Sequence, residues 1–392
     1  MSLKQGISVR GGKQLEGEIR VQGAKNSALP ILAAAVLCRT QVTLYNCPRL
    51  TDCDAAMRIL TTLGCTCKRE GNCVTINPSV ISGTDIPASL MREMRSSVIF
   101  SGALLGREGV CRLSFPGGCE IGARPIDFHL DAFKKMGVSI TEEHGYLSCR
   151  SDKLCGAVIR LPLPSVGATE NIMLAAVLSD GVTEIHNAAR EPEIVDLAQF
   201  LRRCGAKIKG EGTGLVIIEG VKELYGCEYS IMSDRIAAAT YLCCGAITRG
   251  ELILTKADFR SAEPFLSVLE QMGCSIYSFG EDSIYLNARK KLKAPPTVRT
   301  AVHPGFPTDA QPMLMALCTA VKGTTIFVET IFENRYRHAS ELARLGARIS
   351  VEGRVAVVEG TERLSGAELM ATDLRGGAAM VVAGLYADGT TK

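Results

Sequence analysis

A motif that recurs along the whole chain is the strongest constraint on its fold. Five segments with the pattern of an amphipathic helix each end in a glycine followed by a strand-like run, at Gly64, Gly137, Gly205, Gly273 and Gly346. These glycines lie 73, 68, 68 and 73 residues apart. Glycine often ends a helix, because it adopts the left-handed backbone conformation without a steric penalty. The spacing therefore predicts an internal repeat.

A second series of segments alternates with the first. Each begins with an apolar helix-like run, continues through a turn and ends in a short apolar or β-branched strand. The six copies are 27–45, 96–115, 169–186, 235–254, 311–328 and 375–392. A helix that is apolar on all sides is a buried one, so each repeat offers one core helix and one amphipathic outer helix. We predict six units of one design, grouped as two compact domains of three units.

Composition and charge exclude several classes of protein. The 392 residues are 46% hydrophobic and 22% charged, with a formal net charge of +3, which is typical of a globular protein and not of a general polyanion binder. The longest apolar stretches, 27–38 and 376–386, are shorter than the roughly 18 residues of a membrane span and predict buried helices. The 16 cysteines lie mostly in apolar runs and no secretory leader opens the chain, so we expect free thiols in a reducing cytoplasm.

One glycine-rich loop carries the strongest signal of chemistry. Residues 115–129 place Cys119 among three glycines, with Arg124, Asp127 and His129 close behind. Glycine lets backbone N–H groups approach an anion, arginine binds phosphate through paired hydrogen bonds, and nearby positive charge favours a thiolate. The alternative is a surface turn with an incidental cysteine, and the spacing alone leaves both interpretations open.

Three further segments open apolar helices of the repeat. The first, 22–27, contains Lys25; the second is 164–171; the third, 305–309, ends in Asp309. A lysine at a helix start can hold an anion through its charge and the helix dipole, whereas ordinary capping by polar side chains is the alternative. Because equivalent helix starts of two three-unit domains would converge, we expect a ligand that carries several phosphates. No zinc-like spacing, Walker motif or catalytic triad is present, so we expect no metal site.

Taken together, these motifs resemble the enolpyruvyl transferase family. The matching segments cover nearly the whole chain and are Gly-Ala-Lys25-Asn26-Ser-Ala-Leu-Pro, Met-Arg95-Ser-Ser, Pro-Gly-Gly-Cys119-Glu-Ile-Gly-Ala-Arg124-Pro, Ser-Val-Gly-Ala-Thr, residues 187–196, Pro-Thr-Asp309 and Glu-Thr-Ile331-Phe-Glu-Asn-Arg335. The resemblance implies an α/β (α+β) fold of two domains, each with three βαβαββ repeats, helices inside and sheets outside, an inside-out α/β barrel. The implied domains are 23–230 and, because the N-terminal strand joins the second domain, 1–22 plus 231–392.

The resemblance also implies a reaction. The motifs match the branch that transfers the enolpyruvyl group of phosphoenolpyruvate to the 3′-hydroxyl of UDP-N-acetylglucosamine and releases phosphate, the first committed step of peptidoglycan precursor synthesis. The shikimate 3-phosphate branch has a Lys-Ser pair where this chain has Lys25-Asn26, and it lacks the Cys119 loop. The implied partners are these small-molecule substrates, with no metal or organic cofactor, no nucleic acid and no membrane insertion.

Site residues follow from the same resemblance. Cys119 would protonate C3 of the enol, with a covalent phosphoenolpyruvate adduct also possible, and Asp309 would take the proton of the 3′-hydroxyl as general base. Lys25, also assigned as catalytic, would hold phosphate and carboxylate together with Arg124. The substrate-binding residues implied are Lys25, Asn26, Arg95, Arg124, Pro125, Ile126, Asp127, Phe128, Ser165, Val166, Gly167, Asp309, Ile331 and Arg375. Phe128 would lie beside the uracil, and a mobile Cys119 loop would close over the substrates. We also expect the epoxide fosfomycin to alkylate Cys119.

The C-terminal end departs from the family pattern. The sixth repeat stops after its first half, whereas the family carries a further strand, an Asp-Arg-Gly segment whose arginine grips phosphoenolpyruvate, and a last helix. Arg375 belongs to a different segment. Two interpretations compete: an incomplete sequence of a working enzyme, and a truncated paralogue that binds UDP-sugar without efficient turnover. The retained Cys119, Lys25 and Asp309 favour the first.

Overall fold

The chain divides into two compact units. The computed structural model describes residues 6–114, 126–280, 282–371 and 373–392, and only the backbone of Arg95. The described part of the first unit is 22–114 with 126–233, and that of the second unit is 6–21 with the described residues from 234 to 392. Each unit has its own hydrophobic core. No helix of the described residues is both long and apolar enough to cross a membrane.

The described residues form core helices, outer helices and one short helix, α3 (Ala88–Glu93). In order they are α1 Lys25–Ala34, α2 Thr51–Thr62, α3 Ala88–Glu93, α4 Ile99–Glu108, α5 Asp127–Lys135, α6 Val166–Ala176, α7 Pro192–Arg203, α8 Arg235–Ile247, α9 Phe259–Met272, α10 Gln311–Thr319, α11 His338–Arg344 and α12 Leu374–Tyr386. Short 3₁₀ turns span Ala35–Leu37, Arg95–Val98 and Arg335–Arg337.

The strands are short, as is usual where a turn follows every few residues. They are β1 Val9–Arg10, β2 Glu16–Arg20, β3 Val42–Tyr45, β4 Thr66–Glu70, β5 Cys73–Asn77, β6 Asp85–Ile86, β7 Val110–Ser114, β8 Ser139–Glu143, β9 Tyr146–Arg150, β10 Val158–Arg160, β11 Val182–His186, β12 Lys207–Lys209, β13 Leu215–Glu219, β14 Glu228–Ser230, β15 Glu251–Thr255, β16 Ser275–Ser278, β17 Ser283–Asn287, β18 Thr297–Arg299, β19 Thr324–Val328, β20 Arg348–Glu352, β21 Val355–Glu359 and β22 Thr390–Thr391.

The described strands form five four-stranded sheets that share one topology. The first unit holds β14-β3-β5-β4, β6-β7-β9-β8 and β10-β11-β13-β12, and the second holds β2-β15-β17-β16 and β18-β19-β21-β20. In each sheet one edge strand runs parallel to its neighbour, and the other two pairings are antiparallel. β1 and β22 form an additional antiparallel pair in the second unit. The repeated topology is the structural form of the sequence repeat.

The two kinds of helix occupy the predicted positions. All nine residues of α10 are buried, and so are all residues of α1 after the first two, so the apolar runs form core helices. The five glycines of the first series follow α2, α5, α7, α9 and α11 with φ between 90° and 108°, the left-handed conformation that ends a helix. The strands bury alternate residues, which leaves one face of each sheet toward solvent. Among the described strands none closes a sheet into a barrel, so the word barrel describes only the arrangement of helices inside and sheets outside.

Candidate functional site

Lys25 is the first residue of α1, and its side chain is fixed by a carboxylate. Its Nζ donates to Asp52 Oδ2 over 2.8 Å, with the two side chains 21% and 28% exposed. Asp52 lies in the first turn of α2, where the helix dipole favours a negative charge. The capping alternative is wrong here, because Ala24 precedes the helix and no side chain caps it. Asn26 follows in the first turn and is partly exposed.

A buried carboxylate anchors the same end of α1. Asp196 of α7 is 6% exposed and accepts hydrogen bonds from Ser27 Oγ, from Tyr229 Oη at 2.6 Å and from the Met232 N–H at 3.2 Å. Burial raises the pKa of Asp196, and these three donors act in the opposite direction. The network ties α1, α7 and the segment after β14 together. The start of α1, with Lys25, is thus held at a fixed place in the first unit.

The predicted segments 126–128 and 165–167 lie at the starts of α5 and α6 in the first unit. Ser165 caps α6 by accepting from the Ala168 N–H at 3.3 Å, and a Cβ placed at Gly167 would lie 3.4 Å from His129 Cε1. His129 belongs to α5, which begins directly after Ile126. Helices α5 and α6 are therefore in contact, with His129 facing Gly167, although the two residues are about 40 positions apart.

A buried amide fixes the state of His129. The Gly102 N–H donates to Asn171 Oδ1 over 2.6 Å, so the amide nitrogen of Asn171 is the donor that faces His129 Nδ1 at 2.9 Å. Burial lowers the pKa of His129 to about 4, so the ring is neutral at neutral pH. A neutral ring that accepts at Nδ1 carries its proton on Nε2, the atom next to Gly167.

An acidic group lies one turn further along α6. Glu170 is 7% exposed, and burial, together with the charges of Glu193 and Glu191, raises its pKa well above the usual value for a glutamate. Glu170 lies in the segment 164–171, and Glu191 and Glu193 lie in the segment 187–196, both of which are named above. None of the three is predicted as a site residue.

Asp309 forms ion pairs with two arginines in the second unit. Its Oδ1 accepts from Arg335 Nη2 over 3.0 Å and its Oδ2 from Arg375 Nη2 over 2.9 Å. The side chains of the arginines are 2% and 14% exposed, and that of Asp309 is 27% exposed. Asp309 does not cap α10, because this helix begins at Gln311 with Ala310 before it and no capping side chain. Two cations at its oxygens stabilise the anionic carboxylate.

Arg375 and Ile331 both follow Asp309 in the chain and belong to the same unit. Arg375 is the second residue of α12, whose start is capped by Asp373 Oδ1 through the N–H groups of Arg375 and Gly376, both at 3.0 Å. The N–H of Ile331 donates to Glu329 Oε1 at 2.8 Å in the loop after β19. Asp309, Arg375 and the Ile331 loop are therefore neighbours in one unit.

Some predicted residues lie outside the described part of the chain. These are Cys119, Arg124, Pro125 and the side chain of Arg95. Among the residues that are described, no group of three or more histidine, cysteine or acidic side chains is arranged to hold a metal ion. Sequence reasoning missed Asp52, Asp196, Glu329 and Arg335 as site-building residues, although the last three lie in motifs quoted for the family resemblance.

Known proteins resemble this chain over nearly its full length. The family model described as EPSP synthase (3-phosphoshikimate 1-carboxyvinyltransferase) matches residues 9–392. UDP-N-acetylglucosamine 1-carboxyvinyltransferase 2 of Caldanaerobacter subterraneus subsp. tengcongensis is 50% identical over 98% of this chain and 92% of that protein. UDP-N-acetylglucosamine 1-carboxyvinyltransferase of Nitratidesulfovibrio vulgaris is 46% identical with the same two coverages.

Solved structures give the same picture of the fold. The enolpyruvyl transferase NikO from Streptomyces tendae superposes with a TM-score of 0.88 at 26% identity, covering 98% of this chain and 91% of that one. EPSP synthase from Acinetobacter baumannii superposes with a TM-score of 0.74 at 19% identity, covering 98% and 92%, a likeness of fold. The predicted class, mixed α/β with helices inside and small sheets outside, is confirmed.

Proposed function

The chain belongs to the enolpyruvyl transferase family, and from that premise we propose that it transfers the enolpyruvyl group of phosphoenolpyruvate to the 3′-hydroxyl of UDP-N-acetylglucosamine. In the addition step a proton joins C3 of the enol while the alcohol oxygen bonds to C2. In the elimination step a C3 proton and the C2–O bond to phosphate are lost. The products are the enolpyruvyl ether and inorganic phosphate.

The observation that carries the proposal is the 50% identity, over 98% of this chain, to a relative named for this activity. The Lys25-Asn26 pair and the Cys119 loop support the UDP-sugar acceptor over shikimate 3-phosphate, as the family resemblance implies. The paired cations around Asp309 support an acid–base role, because an ionised carboxylate is the form that accepts a proton.

The two arginines differ in how far a substrate can reach them. Arg375 is the more exposed of the two, with a side chain 14% exposed against 2% for Arg335, so it is the cation that an anionic substrate can compete for. A substrate phosphate or carboxylate bound to Arg375 would lie next to the Asp309 carboxylate.

The other assignments complete the proposal. Lys25 holds the anionic groups of phosphoenolpyruvate with Arg124, Asn26 hydrogen-bonds near the reacting centre, and Cys119 is the acid at C3. The segments 126–128 and 165–167, together with Pro125, Arg95 and Ile331, line the nucleotide-sugar site. We assign the functional domains as 23–230 and 1–22 plus 231–392. The reaction supplies peptidoglycan precursors in the cytoplasm. Through the growth of the cell wall it contributes to cell shape, cell division and the cell cycle.

Phosphate release tests the proposal directly. The purified chain is incubated with phosphoenolpyruvate alone, with UDP-N-acetylglucosamine alone and with both, and we expect phosphate only with both. Cys119→Ala should lose this release, whereas Cys155→Ala, which changes an exposed cysteine, should keep it. Asp309→Asn should lose it as well.

The competing interpretation, a protein that binds UDP-sugar without turnover, gives a different result. Calorimetry would then show UDP-N-acetylglucosamine binding while no phosphate appears with both substrates. That combination would overturn the proposed activity, and the absence of both binding and release would overturn the assignment of the substrate.

A further inference from the structure

The carboxylate of Glu329 lies buried between two loops of the second unit. Glu329 follows β19 directly and is 1% exposed. Its Oε2 accepts from Thr308 Oγ1 at 3.0 Å, and its Oε1 accepts from the N–H groups of Ile331 at 2.8 Å and Phe332 at 3.1 Å. One side chain therefore holds the loop before Asp309 and the loop that carries Ile331.

Arg335 forms a second connection between the same two loops. It donates from Nε and Nη2 to the Thr308 carbonyl at 3.2 and 2.9 Å, and from Nη2 to Asp309 Oδ1 at 3.0 Å. The guanidinium also lies 5.9 Å from the centre of the Phe332 ring. Thr308 is thus held at its hydroxyl by Glu329 and at its carbonyl by Arg335, and its position fixes where the next residue, Asp309, begins.

A buried carboxylate is costly unless its oxygens are hydrogen-bonded, so the arrangement around Glu329 has few alternatives of similar energy. Moving Thr308 or the Ile331 segment would break a hydrogen bond to a buried anion. The two loops are therefore expected to move together or not at all. Such a group restrains neighbouring site residues without contact with substrate.

We propose that Glu329 is a positioning residue for enolpyruvyl transfer, which sets the place of Asp309 and the Ile331 segment at once. The inference rests on the proposed function, because it takes Asp309 as the base and Ile331 as part of the nucleotide-sugar site. Reacting groups displaced by about 1 Å can lose about 100-fold in rate, so loss of Glu329 should appear in turnover and in substrate binding.

Three variants separate its two connections. Glu329→Ala removes all three hydrogen bonds, and we expect kcat to fall about 100-fold and KM for UDP-N-acetylglucosamine to rise. Glu329→Gln keeps an acceptor oxygen for the two N–H groups and an amide that the Thr308 hydroxyl can pair with, so it should restore most of the lost kcat. Thr308→Val removes only the hydrogen bond between Glu329 and the loop before Asp309. We therefore expect kcat to fall while KM for the nucleotide sugar stays near that of the wild-type chain.

Thr319→Val is the matched control. It removes a buried hydroxyl that donates to the Ala316 carbonyl at 2.7 Å, at the other end of α10 from Asp309. Its kcat and KM should equal those of the wild-type chain even if its melting temperature falls. UDP-N-acetylglucosamine binding is measured by calorimetry on all four variants, so that the nucleotide-sugar site has a readout besides turnover.

The outcomes separate the positioning role from the proposed function. Wild-type turnover that needs both substrates, together with wild-type kcat in Glu329→Ala, would overturn the positioning role and leave the transferase intact. Equal losses in Glu329→Gln and Glu329→Ala would also overturn it, as would loss of kcat in Thr319→Val matching that in Thr308→Val. No turnover in the wild-type chain would overturn the proposed function, and unchanged sugar affinity in Glu329→Ala would then overturn the positioning of the Ile331 segment as well.

Discussion

Two tyrosines of the first unit donate the same hydrogen bond in opposite surroundings. Tyr229 is half-buried, and its Oη lies 2.6 Å from Oδ1 of the buried Asp196, with its ring packed edge-to-face on Phe200 at 5.5 Å between centroids. Tyr225 Oη lies 2.6 Å from Glu223 Oε2 at the surface, with the tyrosine 54% exposed. Changing each tyrosine to phenylalanine removes only the hydroxyl and keeps the ring.

The expected loss of stability in each variant follows from the burial of its hydrogen bond. A hydrogen bond to a charged acceptor contributes roughly 1.5–3 kcal/mol to stability when water cannot replace it. Asp196 keeps its bonds to Ser27 and Met232 in the variant, which places Tyr229→Phe near the middle of that range, about 2 kcal/mol. Water replaces the lost partner of Glu223, so Tyr225→Phe should leave stability unchanged within error.

Thermal unfolding followed by far-ultraviolet circular dichroism measures the difference. For a unit of this size about 1 kcal/mol corresponds to about 2–4 °C in melting temperature, so Tyr229→Phe should melt about 4–8 °C below wild type. Equal shifts for the two variants, or none for Tyr229→Phe, would refute the claim that the Asp196 network anchors the start of α1.

Three further predictions concern charge, positioning and close packing. Folding raises the pKa of Glu170 above its unfolded value near 4.5, so the folded state holds this proton more tightly and stability falls as the pH rises above that value. Glu170→Gln removes this loss, so its free energy of unfolding minus that of the wild-type chain should increase between pH 5 and pH 8, as measured by denaturant titration. A difference that does not change with pH would contradict the assignment. Asp52→Asn frees Lys25 from a pair that is about one quarter exposed, so stability should change by less than about 1 kcal/mol while KM for phosphoenolpyruvate rises; an unchanged KM would show that the pair does not position Lys25. Gly102→Ala places a Cβ 2.2 Å from the Asn171 carbonyl oxygen where α4 crosses α6, and we expect about 3 kcal/mol of destabilisation by the same titration, with a neutral result arguing against this close approach.

The fold was predictable because its signals are local. A glycine after each amphipathic helix and an apolar run for each core helix are properties of neighbouring residues, and they repeat with a regular spacing. Strand partners are not local: β2 pairs with β15, more than 200 residues later in the chain. The sequence pattern does not say which strand β2 joins.

The candidate site was predictable in part for the same reason. Lys25 and Asp309 stand out at helix starts, but spacing could not separate anion binding from capping, because both uses favour a polar side chain there. The two uses are distinguished by the ion-pair partners, which are Asp52 for Lys25 and two arginines for Asp309. These partners come from other elements of the chain. A short sequence motif does not reveal long-range contacts of this kind.

The most direct test of the central claim is a competition between acceptors. The chain is incubated with phosphoenolpyruvate and equal amounts of UDP-N-acetylglucosamine and shikimate 3-phosphate, and the products are identified by mass spectrometry. We expect the nucleotide sugar alone to gain one enolpyruvyl group, with one phosphate released for each product formed. An enolpyruvyl group on shikimate 3-phosphate, or phosphate release with neither acceptor modified, would contradict the account.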